Sequence, residues 1–376
     1  MIERQLNGRL LGKLGAGKAI VLTGARQTGK TTLLRTLFAG RPETLWLDGD
    51  EPDVRALFEN LSSTRLKAIL GAKSRLVIDE AQRLPEAGLR LKLITDSLPE
   101  VQLIATGSSS FELSNQVNEP LTGRKWEFQL YPLSFAEMTA HHGLLEEKRL
   151  LPHRLIYGGY PEVVTHPGEE RERLLELANS YLYKDILMLG EIKKPDKLTG
   201  LLQALALQVG SQVSYNELAQ LCGLDNKTVE KYIMVLEKAY IVFRLGSFAR
   251  NLRNELKFSR KIYFYDNGIR NAVLANFAQI EARDDIGALW ENYLVSERLK
   301  FLKNGGDWSR SWFWRTQQQK EVDYLEEKDG RLDAYEFKWN PSAKATPPRQ
   351  FTEAYPESRH CVVHPGNYED FLLPGA

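Results

Sequence analysis

The feature that most constrains this chain is the octet Gly24-Ala25-Arg26-Gln27-Thr28-Gly29-Lys30-Thr31, which fits G-x-x-x-x-G-K-[ST] without a mismatch. The apolar run AIVLT, residues 19–23, precedes it, and the helix-forming run TLLRTLFAG, from Thr32 to Gly40, follows. Strand, glycine loop and helix in that order make a phosphate cradle. The glycines let backbone N–H groups turn toward an anion, and the helix N-terminus adds the positive end of its dipole. Residues Gly24 to Thr32 are therefore the expected nucleotide-binding segment. Within it, Lys30 is expected to reach the β- and γ-phosphates of ATP or another nucleoside triphosphate, and the Thr31 hydroxyl to ligate Mg²⁺.

Three further runs read as strands. One is Thr44–Asp48. The next, Arg75-Leu76-Val77-Ile78-Asp79-Glu80, is apolar and ends in two carboxylates. Asp79 is expected to hold Mg²⁺ through its water shell, and Glu80 to orient or deprotonate the attacking water. The last, Val101–Ser108, ends in small polar residues, of which Thr106 and Ser108 are candidates for contact with the γ-phosphate or the water. Strands alternating with helices predict a mostly parallel sheet covered on both faces, with ligands at the C-terminal strand ends. All of these residues fall at such ends.

The strings TGARQTGKTTLL, RLVIDEAQR, IATGSSS and LTGRKWEFQLYPLSFAEM, in that order, resemble the core of an AAA-type ATPase. They are similar to those bacterial and archaeal ATPases whose core is followed by a domain of unknown function. The resemblance implies an ATP-hydrolysing domain over residues 1–140. It also implies that Arg124 is an arginine finger or sensor, acting in cis or on a neighbouring copy, and it leaves a homo-oligomer open.

Residues 141–198 read as a helical segment closing the ATPase region, interrupted by the turn Tyr157-Gly158-Gly159-Tyr160-Pro161. Residues 199–270 read as a winged helix-turn-helix. Ser214 and Glu217 suggest a capping box, Gly223 a helix stop, and the helix opening at Asp225 would carry Asn226, Lys227 and Lys231 toward a major groove. Glu230 and Glu237 in the same helix weaken that argument. Arg250, Arg253, Lys257, Arg260 and Lys261 are the densest basic stretch. Residues 225–261 are therefore the candidate DNA contact; the alternatives are a winged helix that only packs against other domains or subunits, and a solvated loop for the basic stretch. The string from Lys261 to Gly268 resembles a family motif, in which Asp266 has no evident chemical role.

Residues 271–376 carry a second carboxylate constellation. Asp329-Gly330 is a two-residue hairpin signal. It pairs Lys328 with Arg331 and sets Asp323 opposite Glu336, with Lys338 on the same face. Two carboxylates and a lysine on one hairpin suit metal-assisted hydrolysis. The arrangement resembles the PD-(D/E)XK nuclease fold, although Val322 stands where a proline is common. In such folds the preceding helix supplies a glutamate, here Glu291 first and Glu297 second. Glu291, Asp323 and Glu336 would hold the metal, and Asp323, Glu336 and Lys338 would do the chemistry. A structural hairpin held by a Lys338 salt bridge is the alternative. His360 and His364 flank a short apolar run around Cys361, and no metal is assigned to them.

Composition bounds the rest. Hydrophobic residues make up 43% and charged residues 26%, a globular profile, and the net charge of +1 confines any nucleic-acid site to a local patch. Cys222 and Cys361 have no metal-ligand spacing, which favours a reduced cytoplasm. No apolar run approaches the ~18 residues of a membrane span, and MIERQLNGRL has no apolar signal-peptide region. The expected fold is α/β: a P-loop AAA-like parallel sheet, then a winged helix, then a nuclease-like α/β domain. The expected function is Mg²⁺-dependent ATP hydrolysis coupled to nucleic-acid binding, with metal-dependent DNA cleavage by the C-terminal domain. The alternative is an ATP-gated interaction protein with a non-cutting nuclease fold.

Overall fold

The computed structural model describes residues 2–107, 121–180, 192, 194–249 and 260–373. Ser108, and Arg250, Arg253 and Lys257 of the basic stretch, lie outside the described residues. The chain divides into two compact units. The first is Met1–Pro132 with Lys238–Tyr240, and the second is Leu133–Glu237 with Ile241–Ala376.

The first unit is built on five strands: β1 Ala19–Thr23, β2 Thr44–Asp48, β3 Arg75–Asp79, β4 Gln102–Gly107 and β5 Lys125–Gln129. They form one sheet in the order β2-β3-β4-β1-β5, and every pairing is parallel. All five residues of β1 are buried, as are Leu76, Val77 and Ile78 of β3. Continuous apolar runs are what a parallel sheet covered on both faces requires. Alternation along the strands splits them between two cores. Ala19, Val21, Leu76 and Ile78 pack with Phe58 and Leu91 on one face. Ile20, Leu22 and Val77 pack on the other face with Leu33 and Leu34 of the helix α1, Lys30–Leu37. Each such side chain contributes roughly 1.5–3 kcal/mol by leaving water, so the sheet is a rigid base for the loops at its ends.

The second unit begins with short helices, the first, Phe135–His142, closed by a complete capping box between Ser134 and Glu137. Three helices follow, α2 Pro195–Leu207, α3 Tyr215–Cys222 and α4 Asn226–Lys238. With them comes a three-stranded antiparallel sheet of β6 Gln212–Val213, β7 Val242–Gly246 and β8 Arg260–Phe264, ordered β6-β8-β7. Ser214 caps α3 by accepting the Glu217 N–H at 3.4 Å, one arm of the expected box. Gly223 ends α3 in the left-handed conformation. Asp266 caps the helix Asn267–Val273 through the Ile269 N–H and also accepts the Gly159 N–H at 2.7 Å. A Cβ on Gly158 would collide with that carboxylate. The buried Asp266 thus ties the Tyr157–Pro161 turn to the following helix, a structural role that its sequence context did not suggest.

The long helix α5, Ile286–Gly305, buries Leu289, Trp290, Leu294 and Val295 against Phe313, Tyr324 and Tyr368. The last sheet has the order β12-β11-β10-β9, from β9 Arg310–Arg315, β10 Glu321–Lys328, β11 Arg331–Phe337 and β12 Arg359–Val363. The β10–β11 register runs from Tyr324 opposite Tyr335 to Lys328 opposite Arg331. That is the register expected from Asp329-Gly330, both of which have positive φ.

Candidate functional site

In the first unit the phosphate loop leaves the buried end of β1. Gly24 has φ +152°, and a Cβ there would collide with the Leu130 carbonyl oxygen. Only glycine lets the loop pass this close to the chain that follows β5. Gln27 and Gly29 are also left-handed, and Gly29 is the N-cap of α1. Lys30 is 6% exposed, and its ammonium donates to the carbonyl oxygens of Gly24 and Ala25, each at 2.9 Å. Thr28 is buried and its hydroxyl donates to the Ala25 carbonyl oxygen at 2.8 Å. Ala25 is buried, Arg26 half-buried, and Gln27 and Thr32 exposed.

Beside the loop, the Thr31 hydroxyl donates to Asp79 at 2.7 Å. Because β4 lies between β1 and β3, its buried Thr106 reaches both carboxylate positions. Its hydroxyl donates to the other Asp79 oxygen and accepts the Glu80 N–H at 3.2 Å. Glu80 is left-handed at φ +46°, directly after β3, and its carboxylate accepts from the Gln82 amide. A Cβ on Gly49, after β2, would collide with the Glu80 carbonyl oxygen, so the Glu80 backbone is held from two sides. Thr31 and Asp79 offer converging oxygens, the hard donors that Mg²⁺ prefers. This donor set fits the ion.

Arg124 is not near these groups. It precedes β5, and its carbonyl oxygen accepts the N–H of Ala19, the first residue of β1. The phosphate loop leaves the other end of β1, about five residues or roughly 16 Å away. The Arg124 side chain is half exposed and paired with Asp96 at 2.7 Å. Parallel β1 and β5 carry Arg124 to the end of the sheet opposite the phosphate loop.

In the second unit, Asp323, Glu336 and Lys338 do come together. Asp323 lies in an irregularity of the β10–β9 pairing between Val322 and Leu325 and accepts the Phe337 N–H at 2.8 Å. The Lys338 ammonium is 3.0 Å from Glu336 and 3.7 Å from Asp323. Burial, with Asp323 beside it, pushes the Glu336 carboxyl up to about 7. Glu291 on α5 is close to this group, yet its Oε1 accepts from the Lys261 ammonium at 2.8 Å and the Tyr263 hydroxyl at 2.7 Å. Lys261 also contacts Glu321 at 2.5 Å, and Arg315 pairs with Glu321 at 3.2 Å. Glu297 is turned away, holding Lys300 and the Phe135 N–H. Among the described residues, no three His, Cys, Asp or Glu side chains are grouped so as to hold a metal. The expected ligand set Glu291, Asp323 and Glu336 is not formed, and Glu291 is held instead by Lys261 and Tyr263. Sequence reading placed Lys261 in the basic stretch and at the head of a family motif, without a buried partner, and gave Glu321 no role. The signal was a single lysine entering the apolar run Ile262-Tyr263-Phe264, a position where charge needs a buried partner.

On α4, Asn226, Lys227 and Glu230 are exposed and Lys231 half-buried, so cations and an acid alternate on its outer face. No described helix is long and apolar enough to cross a membrane.

Residues 16–139 match the AAA domain family, and residues 148–280 and 286–372 match two domains of unknown function, DUF8612 and DUF4143. An uncharacterized protein of Mycobacterium tuberculosis is 27% identical over 98% of this chain and 81% of its own length. An uncharacterized protein of Methanocaldococcus jannaschii is 24% identical over 83% of this chain and 73% of its own. Among solved structures, a Walker-type ATPase of Pyrococcus abyssi superposes with a TM-score of 0.52 at 17% identity, over 73% of this chain and 96% of that one. Family match, sheet order and loop geometry agree: residues 16–139 resemble the AAA domain family and carry the fold of a P-loop nucleotide-binding domain.

Proposed function

We propose that the protein is a Mg²⁺-dependent ATPase whose nucleotide state governs nucleic-acid binding by the remainder of the chain. The observation that carries the first half is the convergence of Thr31, Asp79, Thr106 and Glu80 beside the Lys30 loop. Lys30 would neutralise phosphate charge once its ammonium leaves the Gly24 and Ala25 carbonyls. Bound Mg²⁺ would spread the charge that develops on the transferred phosphoryl group. Asp79 would hold the waters of that ion, Thr106 keeps Asp79 and the Glu80 backbone in place, and Glu80 would take the proton of the attacking water. Arg124 would act only on a neighbouring copy.

The nucleic-acid half is supported by the order of α2, α3 and α4 followed by β7 and β8, which is that of a winged helix. The helix α5 followed by β9, β10 and β11, with β12 parallel to β11, is similarly compatible with a nuclease-like fold. A specific observation favours the second reading for that fold, that it binds rather than cuts: Glu291, the glutamate expected from the helix, is engaged by Lys261.

The test is ATP turnover with and without Mg²⁺, repeated with single-stranded, duplex and branched DNA, and with labelled DNA to register cleavage. Mg²⁺-dependent turnover that changes on adding DNA is the expected result. Turnover indifferent to every DNA, with no DNA bound, would replace the nucleic-acid partner with a protein one.

A further inference from the structure

The C-terminal carboxylates carry their own cations. Four acids lie around these cations: Glu291 from α5, Glu321 and Asp323 from β10, and Glu336 from β11. Three basic groups answer them. Lys261 lies 2.8 Å from Glu291 and 2.5 Å from Glu321, Arg315 lies 3.2 Å from Glu321, and Lys338 lies 3.0 Å from Glu336 and 3.7 Å from Asp323. Every one of the four has a partner within the chain. Lys261 is 1% exposed, and a charge so buried is stable only while paired.

A divalent cation at this place needs oxygen lone pairs from several ligands. Glu291 Oε1 already accepts from both Lys261 and Tyr263. The ammonium also could not stay beside an arriving cation, since like charges repel most strongly where water is excluded. Nor could it leave easily, because Lys261 is 1% exposed and two carboxylates hold its ammonium. The residues present therefore do not fit the metal that a nuclease-like fold implies.

We propose that Lys261 is the resident cation of this cluster: its ammonium, held between Glu291 and Glu321, fills the place a divalent ion would take, and the C-terminal fold operates without metal. The proposal rests on the nuclease-like reading of this region. Its readout is metal binding, so it fails or stands apart from ATP turnover and DNA binding.

The test is Mn²⁺ binding to the full chain without nucleotide, followed by the electron paramagnetic resonance signal of free Mn²⁺ and by thermal shift. Wild type is expected to have no site that Asp323→Asn removes. Lys261→Met is expected to gain one, at least tenfold tighter than any wild-type binding, and Lys261→Met with Asp323→Asn to lose it again. Lys261→Arg, which keeps the charge, is expected to remain without it. An Asp323-dependent Mn²⁺ site in wild type overturns the proposal, as does a folded Lys261→Met chain that gains none. Should Lys261→Met fail to fold, Lys261→Gln, which also removes the charge, carries the same expectation, and a folded Lys261→Gln chain that gains no site overturns the proposal.

Discussion

The hydroxyl of Thr31 donates a 2.7 Å hydrogen bond to Asp79, which joins the phosphate loop to the acidic end of β3 across the intervening strand β4. Lys30, on the same turn of α1, is held by two carbonyl oxygens of the loop. Lys30→Ala removes the cation that phosphate would attract, and ATP affinity is expected to fall at least tenfold, measured with a fluorescent nucleotide. Unchanged affinity would show that the loop amides alone hold the ligand.

Glu80 is held in a left-handed backbone conformation next to Asp79. Glu80→Gln keeps the shape and removes the base. Turnover is expected to fall roughly a hundredfold or more, with nucleotide affinity within a few-fold of wild type. Single-turnover rates with bound ATP check this, and an unchanged rate would assign the water to another group.

Gly24 has no room for a side chain. Gly24→Ala would force a collision with the Leu130 carbonyl at φ +152°, costing about 3 kcal/mol of stability. Urea unfolding followed by tryptophan fluorescence measures it, and nucleotide affinity should fall in parallel because the loop must shift.

Arg124 sits at the far end of the sheet from the loop. Arg124→Ala is expected to leave ATP affinity unchanged and to lower turnover. Mixing it with Lys30→Ala chains, which are expected to bind ATP more weakly but still carry Arg124, is expected to restore part of that turnover. Failure of mixing to restore it would remove Arg124 from catalysis in a neighbouring copy.

Glu336 is raised to about 7, by burial first and the Asp323 charge second. A carboxyl with a folded value above its unfolded one binds its proton more tightly in the folded state. It therefore adds stability at low pH that is lost as pH rises from about 4.5 to about 7. Glu336→Gln is expected to flatten this slope and to be the more stable form at pH 8, as seen in urea midpoints across that range.

Much of the first unit was legible because its chemistry is local. The octet Gly24–Thr31, the apolar β1 before it and the acids at the end of β3 are contiguous strings whose spacing dictates strand, loop and helix. The hairpin register from Lys328–Arg331 to Tyr324–Tyr335 was equally local, set by two turn residues and a period of two. What only the tertiary structure decided are contacts made across strands and between elements. The insertion of β4 between β1 and β3 puts Thr106 against Asp79. The parallel pairing of β5 with β1 puts Arg124 at the end of the sheet away from the loop. Packing of α5 against β8 buries Lys261 on Glu291, while the fold of β10 adds Glu321. Sequence spacing carries backbone periodicity. The choice of which charge meets which in a buried place is made by packing, because an unpaired charge there is too costly to remain.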